Sequence, residues 1–106
     1  MPTINLKTKY SNGPAEVTFP GQYGDGSLAI ELLDAETYEP LLRATVCIAD
    51  YGYTPPANHV VIKNYSENEG LLDCLVSEGV VRSPVREIAG PNGITFPVCE
   101  LTPAYS

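Results

Sequence analysis

Four side chains in this sequence have the chemistry of metal ligands or of a nucleophile with its base: Cys47, Cys74, Cys99 and the only histidine, His59. Together they could form a Cys3His zinc site, but no two of them lie at the short spacing that zinc-binding motifs use. A Cys–His catalytic pair would depend on His59, and the sequence supplies no third group that would orient it. We therefore expect no catalytic residue, no metal and no cofactor, and we expect the thiols to be buried or half-buried and unreactive.

The balance of charge indicates which partners the protein can have. Thirteen acidic and six basic residues give a formal charge of −7, which disfavours direct binding to nucleic acid. The same charge suits docking onto a basic surface of another protein, including a channel in which that protein holds nucleic acid. Acidity also serves solubility, and this is the alternative reading.

Length and hydropathy predict one domain that spans residues 1–106 and does not enter a membrane. The chain is 43% apolar, which argues against disorder. It has no apolar run of about 18 residues, the minimum for a membrane-spanning helix. The N-terminal stretch MPTINLKTKY lacks the pattern of a secretory signal. We expect a cytoplasmic protein with reduced thiols.

Alternating apolar and polar residues predict that most of the chain forms strands. The alternation begins in residues 3–10 and resumes after Asn12-Gly13, a pair typical of hairpin turns. Further strands are predicted over residues 15–19, 28–32, 42–48, 59–63, 85–88 and 94–98. Pro97 places the last of these at a sheet edge or a bulge, because proline cannot donate to a ladder.

One helix is predicted over Glu67–Gly79. Ser66 followed three residues later by Glu69 is the pattern of a capping box, and Gly79 suits the C-terminal end. Four apolar residues recur on one face of this helix: Leu71, Leu72, Leu75 and Val76. The predicted fold is α+β, an antiparallel sheet of about five to seven strands with one amphipathic helix packed on it.

Three groups of residues remain as candidate contact surfaces. Glu67, Cys74 and Glu78 would share an exposed stripe of the helix, which is either a contact surface or an ordinary solvated face. The acidic connection DAETYEP offers a second acidic surface through Asp34, Glu36 and Glu39.

The third group lies in the loop DYGYTPPAN, where two tyrosines stand beside a Pro-Pro pair. Tyr51 and Tyr53 are either contact anchors, which cost little entropy to bury, or a cover for the edge of the sheet.

The passage VVIKNYSENEGLLDCLVSEGVV, residues 60–81, resembles a family of small uncharacterised proteins encoded on phages and conjugative elements of gut bacteria. In that family a strand runs into a NYSENEG helix start, and the helix ends at a glycine. The resemblance covers about the middle third of the chain and implies a mobile-element accessory protein. Many such proteins resemble anti-CRISPR or anti-restriction factors, which inhibit defence nucleases by stoichiometric binding.

The resulting hypothesis is a non-enzymatic inhibitor of an RNA-guided nuclease, Cas9 in the first instance, that binds a basic surface of that protein. Two alternatives stay open. One is an adaptor or antitoxin-like module that binds an element-encoded partner. The other is a small enzyme with an unrecognised site, which a pocket uniting His59 with a cysteine or with carboxylates would favour.

Overall fold

The first four strands of the protein form an antiparallel sheet in simple chain order. A computed structural model describes residues 3–105. The strands are β1 (Thr3–Lys7), β2 (Asn12–Gln22), β3 (Leu28–Asp34) and β4 (Pro40–Arg43), and each pairs with the next. This order follows from the short connections between strands, which favour hairpins.

The turn of the first hairpin differs from the predicted one. The Thr8 N–H donates to the Ser11 carbonyl oxygen at 2.8 Å, and the Thr8 hydroxyl accepts from the Ser11 N–H at 3.0 Å. These bonds close the turn before Asn12-Gly13 is reached, so both of those residues already pair with β1. The prediction of an Asn-Gly turn was wrong because the short polar side chains of Thr8 and Ser11 supply their own turn.

The second sheet has three antiparallel strands, β5 (His59–Val61), β6 (Arg86–Ala89) and β7 (Thr95–Glu100), in the order β5-β7-β6. Pro97 therefore lies in the central strand, and its predicted place at an edge was wrong. The Pro97 carbonyl oxygen accepts from the Ile62 N–H at 3.0 Å, so its ring nitrogen faces the point just beyond the end of β5. The missing donor costs little there because the ladder ends at Val61.

The chain passes from one sheet to the other at residues 44–46. The Ala44 N–H donates to Ile30 in the first sheet at 2.9 Å, whereas the Ala44 carbonyl accepts from Lys63 at 2.8 Å. Val46 then donates to Val61 of β5 at 3.1 Å. The predicted strand over residues 42–48 is thus divided, and the predicted single sheet is two sheets that share this crossing. The described residues contain seven strands, within the predicted range.

The helical region is shorter and starts later than predicted. A 3₁₀ turn, Ser66–Asn68, precedes the α-helix α1 (Leu71–Ser77). Neither N-cap residue, Tyr65 or Gly70, makes a side-chain cap hydrogen bond, so the predicted capping box is absent. Ser66 and Gly70 both have positive φ, 57° and 94°, which interrupts the continuous helix that a capping box would start.

Other contacts replace the predicted cap. The Leu72 N–H donates to Asn64 Oδ1 at 2.8 Å, and Glu69 forms an ion pair with Lys9 at 3.3 Å. After Ser77 the chain leaves the helix through Gly79 at φ 75°, close to the predicted end.

The buried side chains form two clusters. The larger joins the first sheet, α1 and strands β5 and β7, and its members include Ile4, Leu6, Val17, Ile30, Leu32, Val60, Leu71, Cys74, Leu75 and Cys99. The smaller lies against the second sheet and consists of Ile48, Val61, Phe96 and Val98. No helix within residues 3–105 has the length and hydropathy to cross a membrane.

Candidate functional site

The connection between β3 and β4 is an acidic turn, residues 34–39, whose shape is fixed by its own first residue. Asp34 Oδ1 accepts the N–H groups of Glu36 at 2.8 Å and of Thr37 at 3.1 Å. The Asp34 carbonyl oxygen accepts from the Tyr38 N–H at 2.8 Å. The N–H groups of Thr37 and Glu36 hold the pKa of Asp34 below its usual range. Asp34 is therefore a structural residue of the turn, and it stays ionised.

The tip of the acidic turn presents two carboxylates and one aromatic ring to solvent. Glu36 and Glu39 are exposed, and Tyr38 between them is 63% exposed. Tyr38 adopts a φ of 63°, which is uncommon for a bulky residue and is imposed by the surrounding turn. Tyr38 was not among the predicted contact residues. The signal available was an aromatic residue enclosed by glutamates in a short connection.

The acidic turn takes part in no ion pair within the described residues, whereas four carboxylates elsewhere do. Four ion pairs occur among residues 3–105: Lys9–Glu69, Arg43–Glu31, Lys63–Glu67 and Arg82–Glu100. None of them involves the acidic turn. Its carboxylates form no ion pair within residues 3–105. Asp50 and Asp73 share that property, and what makes this turn the candidate contact site is that Glu36 and Glu39 flank the exposed Tyr38 in a fixed turn.

The predicted stripe of Glu67, Cys74 and Glu78 is not one exposed surface. Glu67 is exposed, and its hydrogen bond with Lys63 lowers its pKa to about 2. Cys74 is buried, and its thiol donates to the Asn5 carbonyl oxygen at 3.4 Å. Glu78 is half-buried, and its carboxylate accepts the Asn5 N–H at 2.6 Å. Cys74 and Glu78 thus bind the edge of the first sheet, so the expectation of a shared exposed face was wrong.

A groove of about 650 Å³ runs between β1 and α1 beside these contacts. Its lining carries basic and acidic side chains, including Lys7, Lys9, Asp73 and Glu78. Lys9 is paired with Glu69, another residue of the lining. Because both signs of charge are present, the groove selects no particular class of ligand.

The two tyrosines of the predicted loop pack on the smaller cluster. The Tyr51 ring lies 5.5 Å from that of Phe96, and the Arg86 guanidinium lies 5.5 Å from the Tyr53 ring centroid. Tyr53 is half-buried, whereas 52% of Tyr51 remains exposed. Both rings therefore cover the second sheet, and Tyr51 keeps an outer surface that a partner could contact.

A second cleft, of about 260 Å³, brings His59 together with Asp25, Ser27 and Thr54. The Asp25 carboxylate accepts from the Ser27 N–H at 2.9 Å, from the Ser27 hydroxyl at 2.5 Å and from the Thr54 hydroxyl at 3.2 Å. These bonds, led by that from the Ser27 hydroxyl, lower the pKa of Asp25.

His59 stands apart from this network, because its Nδ1 lies 2.8 Å from the Ala57 carbonyl oxygen. Within residues 3–105 no hydrogen bond joins His59 to Asp25 or Ser27. A Ser-His-Asp triad requires the histidine between the acid and the nucleophile, and here the acid contacts the serine directly. The network closes a loop and does not activate Ser27.

The cysteines are separated by depth and position. Cys99 is fully buried in β7, and burial raises its pKa to about 11. Burial also raises the pKa of Cys74. Cys47 is half-buried. Within the described range, no group of three His, Cys, Asp or Glu side chains could hold a metal ion.

Comparison with known proteins finds no family model that matches the chain, and no curated protein and no solved structure matches it.

Proposed function

We propose that this protein is a non-enzymatic inhibitor that binds a basic surface of a host defence nuclease in a stoichiometric complex, with Cas9 as the intended target. The observation that carries the proposal is the acidic turn. Its backbone is fixed by Asp34, its carboxylates at Glu36 and Glu39 lack cationic neighbours in the described structure, and Tyr38 stands between them.

Preorganisation supports a binding role for this turn. A turn that is already fixed loses little conformational entropy when a partner immobilises it. Tyrosine buries a large rigid surface for few lost rotamers, and aromatic residues are frequent at the energetic centre of interfaces. Two carboxylates beside such a ring would steer the protein toward a basic patch and then hold it there.

The nuclease assignment is supported by charge and by the resemblance of residues 60–81 to mobile-element proteins. RNA-guided nucleases hold their heteroduplex in a positively charged channel. A protein of net charge −7 can compete for that channel through the electrostatics that attract phosphates. The acidic turn would act there as a surrogate for the nucleic acid backbone.

Cleavage assays with a panel of Cas9 orthologues test this assignment. Inhibition at about one equivalent of protein, weakening as salt rises, is the expected result. The variant Glu36→Lys with Glu39→Lys should slow association by about tenfold at low salt and relieve inhibition. Tyr38→Ala should instead raise the dissociation rate.

A matched variant separates the acidic turn from net charge. Asp50→Lys with Asp73→Lys makes the same change in net charge at two other exposed carboxylates and should leave inhibition largely intact. Equal loss in both variants would remove the acidic turn as the contact site. Full-rate cleavage by every orthologue in the presence of excess protein would refute the Cas9 assignment and leave an adaptor or antitoxin-like role.

A second candidate, a small enzyme, would use the smaller cleft, whose lining includes His59, Asp25 and Ser27 with no hydrogen bond in the described structure between His59 and the other two. Ser27→Ala and His59→Ala test it directly. Inhibition that survives both variants assigns the cleft a structural role, whereas loss of inhibition with retained fold and binding would indicate chemistry in the cleft.

A further inference from the structure

Two of the four sheet edges are closed by hydrogen bonds from the helical region. On β1, the outward N–H and carbonyl of Asn5 bond to Glu78 and Cys74. On β4, the outward carbonyl of Arg43 accepts from Asn68 Nδ2 at 2.8 Å. Groups that would otherwise recruit another strand are thus occupied.

A third edge, that of β5, is closed by the chain crossing between the sheets. The Lys63 N–H donates to Ala44, and the Val46 N–H donates to Val61. Residues 44–46 therefore act as a neighbouring strand for this side of the second sheet.

The edge of β6 is open. The Gly90 N–H donates to the Ile94 carbonyl at 2.7 Å, and the register pairs Ile88 with Phe96. The backbone N–H and carbonyl groups of the even-numbered residues of β6 therefore point toward β7. Backbone groups alternate in direction along an antiparallel strand, so those of Glu87 and Ala89 point away from the sheet. Both residues are exposed, and within residues 3–105 no hydrogen bond to their backbone is found on that side.

We propose that β6 pairs in antiparallel fashion with β6 of a second copy of this chain, around a two-fold axis at Ile88, so that the two three-stranded sheets become one. The N–H and carbonyl of Glu87 in one copy would then bond to those of Ala89 in the other, and the reverse. This proposal does not depend on the acidic turn or on the nuclease.

The sequence of β6 suits its own copy. In this register Ile88 lies opposite Ile88, Glu87 opposite Ala89, and Arg86 opposite Gly90, so no two like charges lie directly opposite each other, and the two Glu87 residues are diagonal neighbours. The opposite charges of Arg86 and Glu87 also make the net charge of β6 zero, unlike that of the chain as a whole. The interface is isologous and closed, so it ends at a dimer.

The strand has four residues, so the interface is small and the association is weak. Each copy carries a net charge of −7, and salt screens their mutual repulsion. Dimerisation should therefore strengthen as salt rises. Binding of a basic partner by the acidic turn should weaken under the same change, so the two associations respond to salt with opposite signs.

Sedimentation equilibrium of the whole chain from about 10 μM to about 1 mM tests the proposal. The average mass should rise from 11.4 kDa toward twice that value, and more steeply at high salt. Over the same range, amide exchange at Glu87 and Ala89 should slow several-fold. A mass that stays at 11.4 kDa at the highest concentration would overturn the proposal.

A matched pair of variants locates the interface. Ala89→Pro removes an outward donor that is unused in the monomer and should abolish the rise in mass, whereas Ala89→Ser keeps the donor and should behave as the unmodified chain. Dimerisation by the proline variant would place the interface elsewhere. If the proline variant fails to fold, amide exchange in the unmodified chain decides, and unchanged exchange at Glu87 and Ala89 would refute pairing through β6.

Discussion

The edges of β1 and β6 differ in whether their outward backbone groups have hydrogen-bond partners. Each strand has backbone N–H and carbonyl groups that point away from its sheet. On β1 these groups bond to the side chains of Glu78 and Cys74, and the Lys9 N–H donates to the Glu69 carbonyl at 3.0 Å. On β6 the corresponding groups of Glu87 and Ala89 face solvent.

The difference shows that acidic residues serve two purposes in this protein. Glu78 replaces a neighbouring strand, because its carboxylate takes a hydrogen bond that a carbonyl would take in a wider sheet. Within residues 3–105 the side chains of Glu36 and Glu39 have no such hydrogen-bond partner, and both remain at the surface of the acidic turn. The net charge of −7 therefore does not by itself locate the carboxylates that a partner would meet.

The largest expected effect comes from loosening the helix that covers β1. Leu75 is fully buried in α1, so Leu75→Ala should lower the free energy of unfolding by about 2–5 kcal/mol through loss of contacts and a residual cavity. Ile88 of β6 is only half-buried, and Ile88→Ala should cost less, about 1 kcal/mol.

Chemical denaturation of both variants measures this pair of changes. Equal losses of unfolding free energy in the two variants would mean that the covered edge of β1 and the open edge of β6 depend equally on packed side chains. That result would contradict the difference drawn between the two edges.

A smaller effect is expected from removing the acceptor on the β1 edge. Glu78→Ala leaves the Asn5 N–H without its partner and should lower the free energy of unfolding by about 1 kcal/mol. Amide exchange at Asn5 should accelerate in step. Glu78→Gln keeps an acceptor oxygen and serves as the control. Unchanged exchange at Asn5 in the alanine variant would show that this bond does not protect the edge.

The smallest effect concerns Glu67, which lies in the 3₁₀ turn before the covering helix. Its pKa is lowered from 4.5 to about 2, chiefly by its hydrogen bond with Lys63. A lowered pKa in the folded state stabilises the protein above the unfolded value and loses that contribution as pH falls from 4.5 toward 2. The pair is exposed, so the contribution to stability is slight.

A carbon-detected titration of the Glu67 carboxylate measures this shift. The midpoint should lie near 2 and should return toward 4.5 in Lys63→Met. A midpoint near 4.5 in the unmodified chain would show that the ion pair does not persist in solution.

Periodicity predicted the strands because the alternation of apolar and polar residues depends on which face of each strand is buried. The α+β class, the antiparallel pairing and the existence of β1 to β4 followed from alternation and short connections. The split into two sheets could not be predicted in this way, since residues 44–46 alternate like any strand. What divides them is that Ala44 bonds to a different neighbour on each side.

The predicted start of the helix was wrong because the local preference for a capping box conflicted with tertiary contacts. Ser66 and Glu69 have the types of a capping box, but Glu69 pairs with Lys9 and its carbonyl bonds to the backbone of Lys9. Contacts with the turn that follows β1 therefore outweighed the cap. The acidic turn was predicted as a contact surface, and this stays a prediction. The exposure of Tyr38 depends on a positive φ that no sequence pattern announced.

The three thiols are buried to different extents, so their rates of chemical labelling would report how the protein opens. Cys47 is half-buried, Cys74 is covered only while the helical region rests on β1, and Cys99 lies in the central strand of the second sheet. An alkylating reagent attacks thiolates, so each cysteine reacts at a rate set by the opening that uncovers it. Lifting of the helix releases Cys74, whereas Cys99, a member of the same buried cluster, becomes accessible only when that cluster opens. The order of labelling along the chain would thus report the order in which its layers separate.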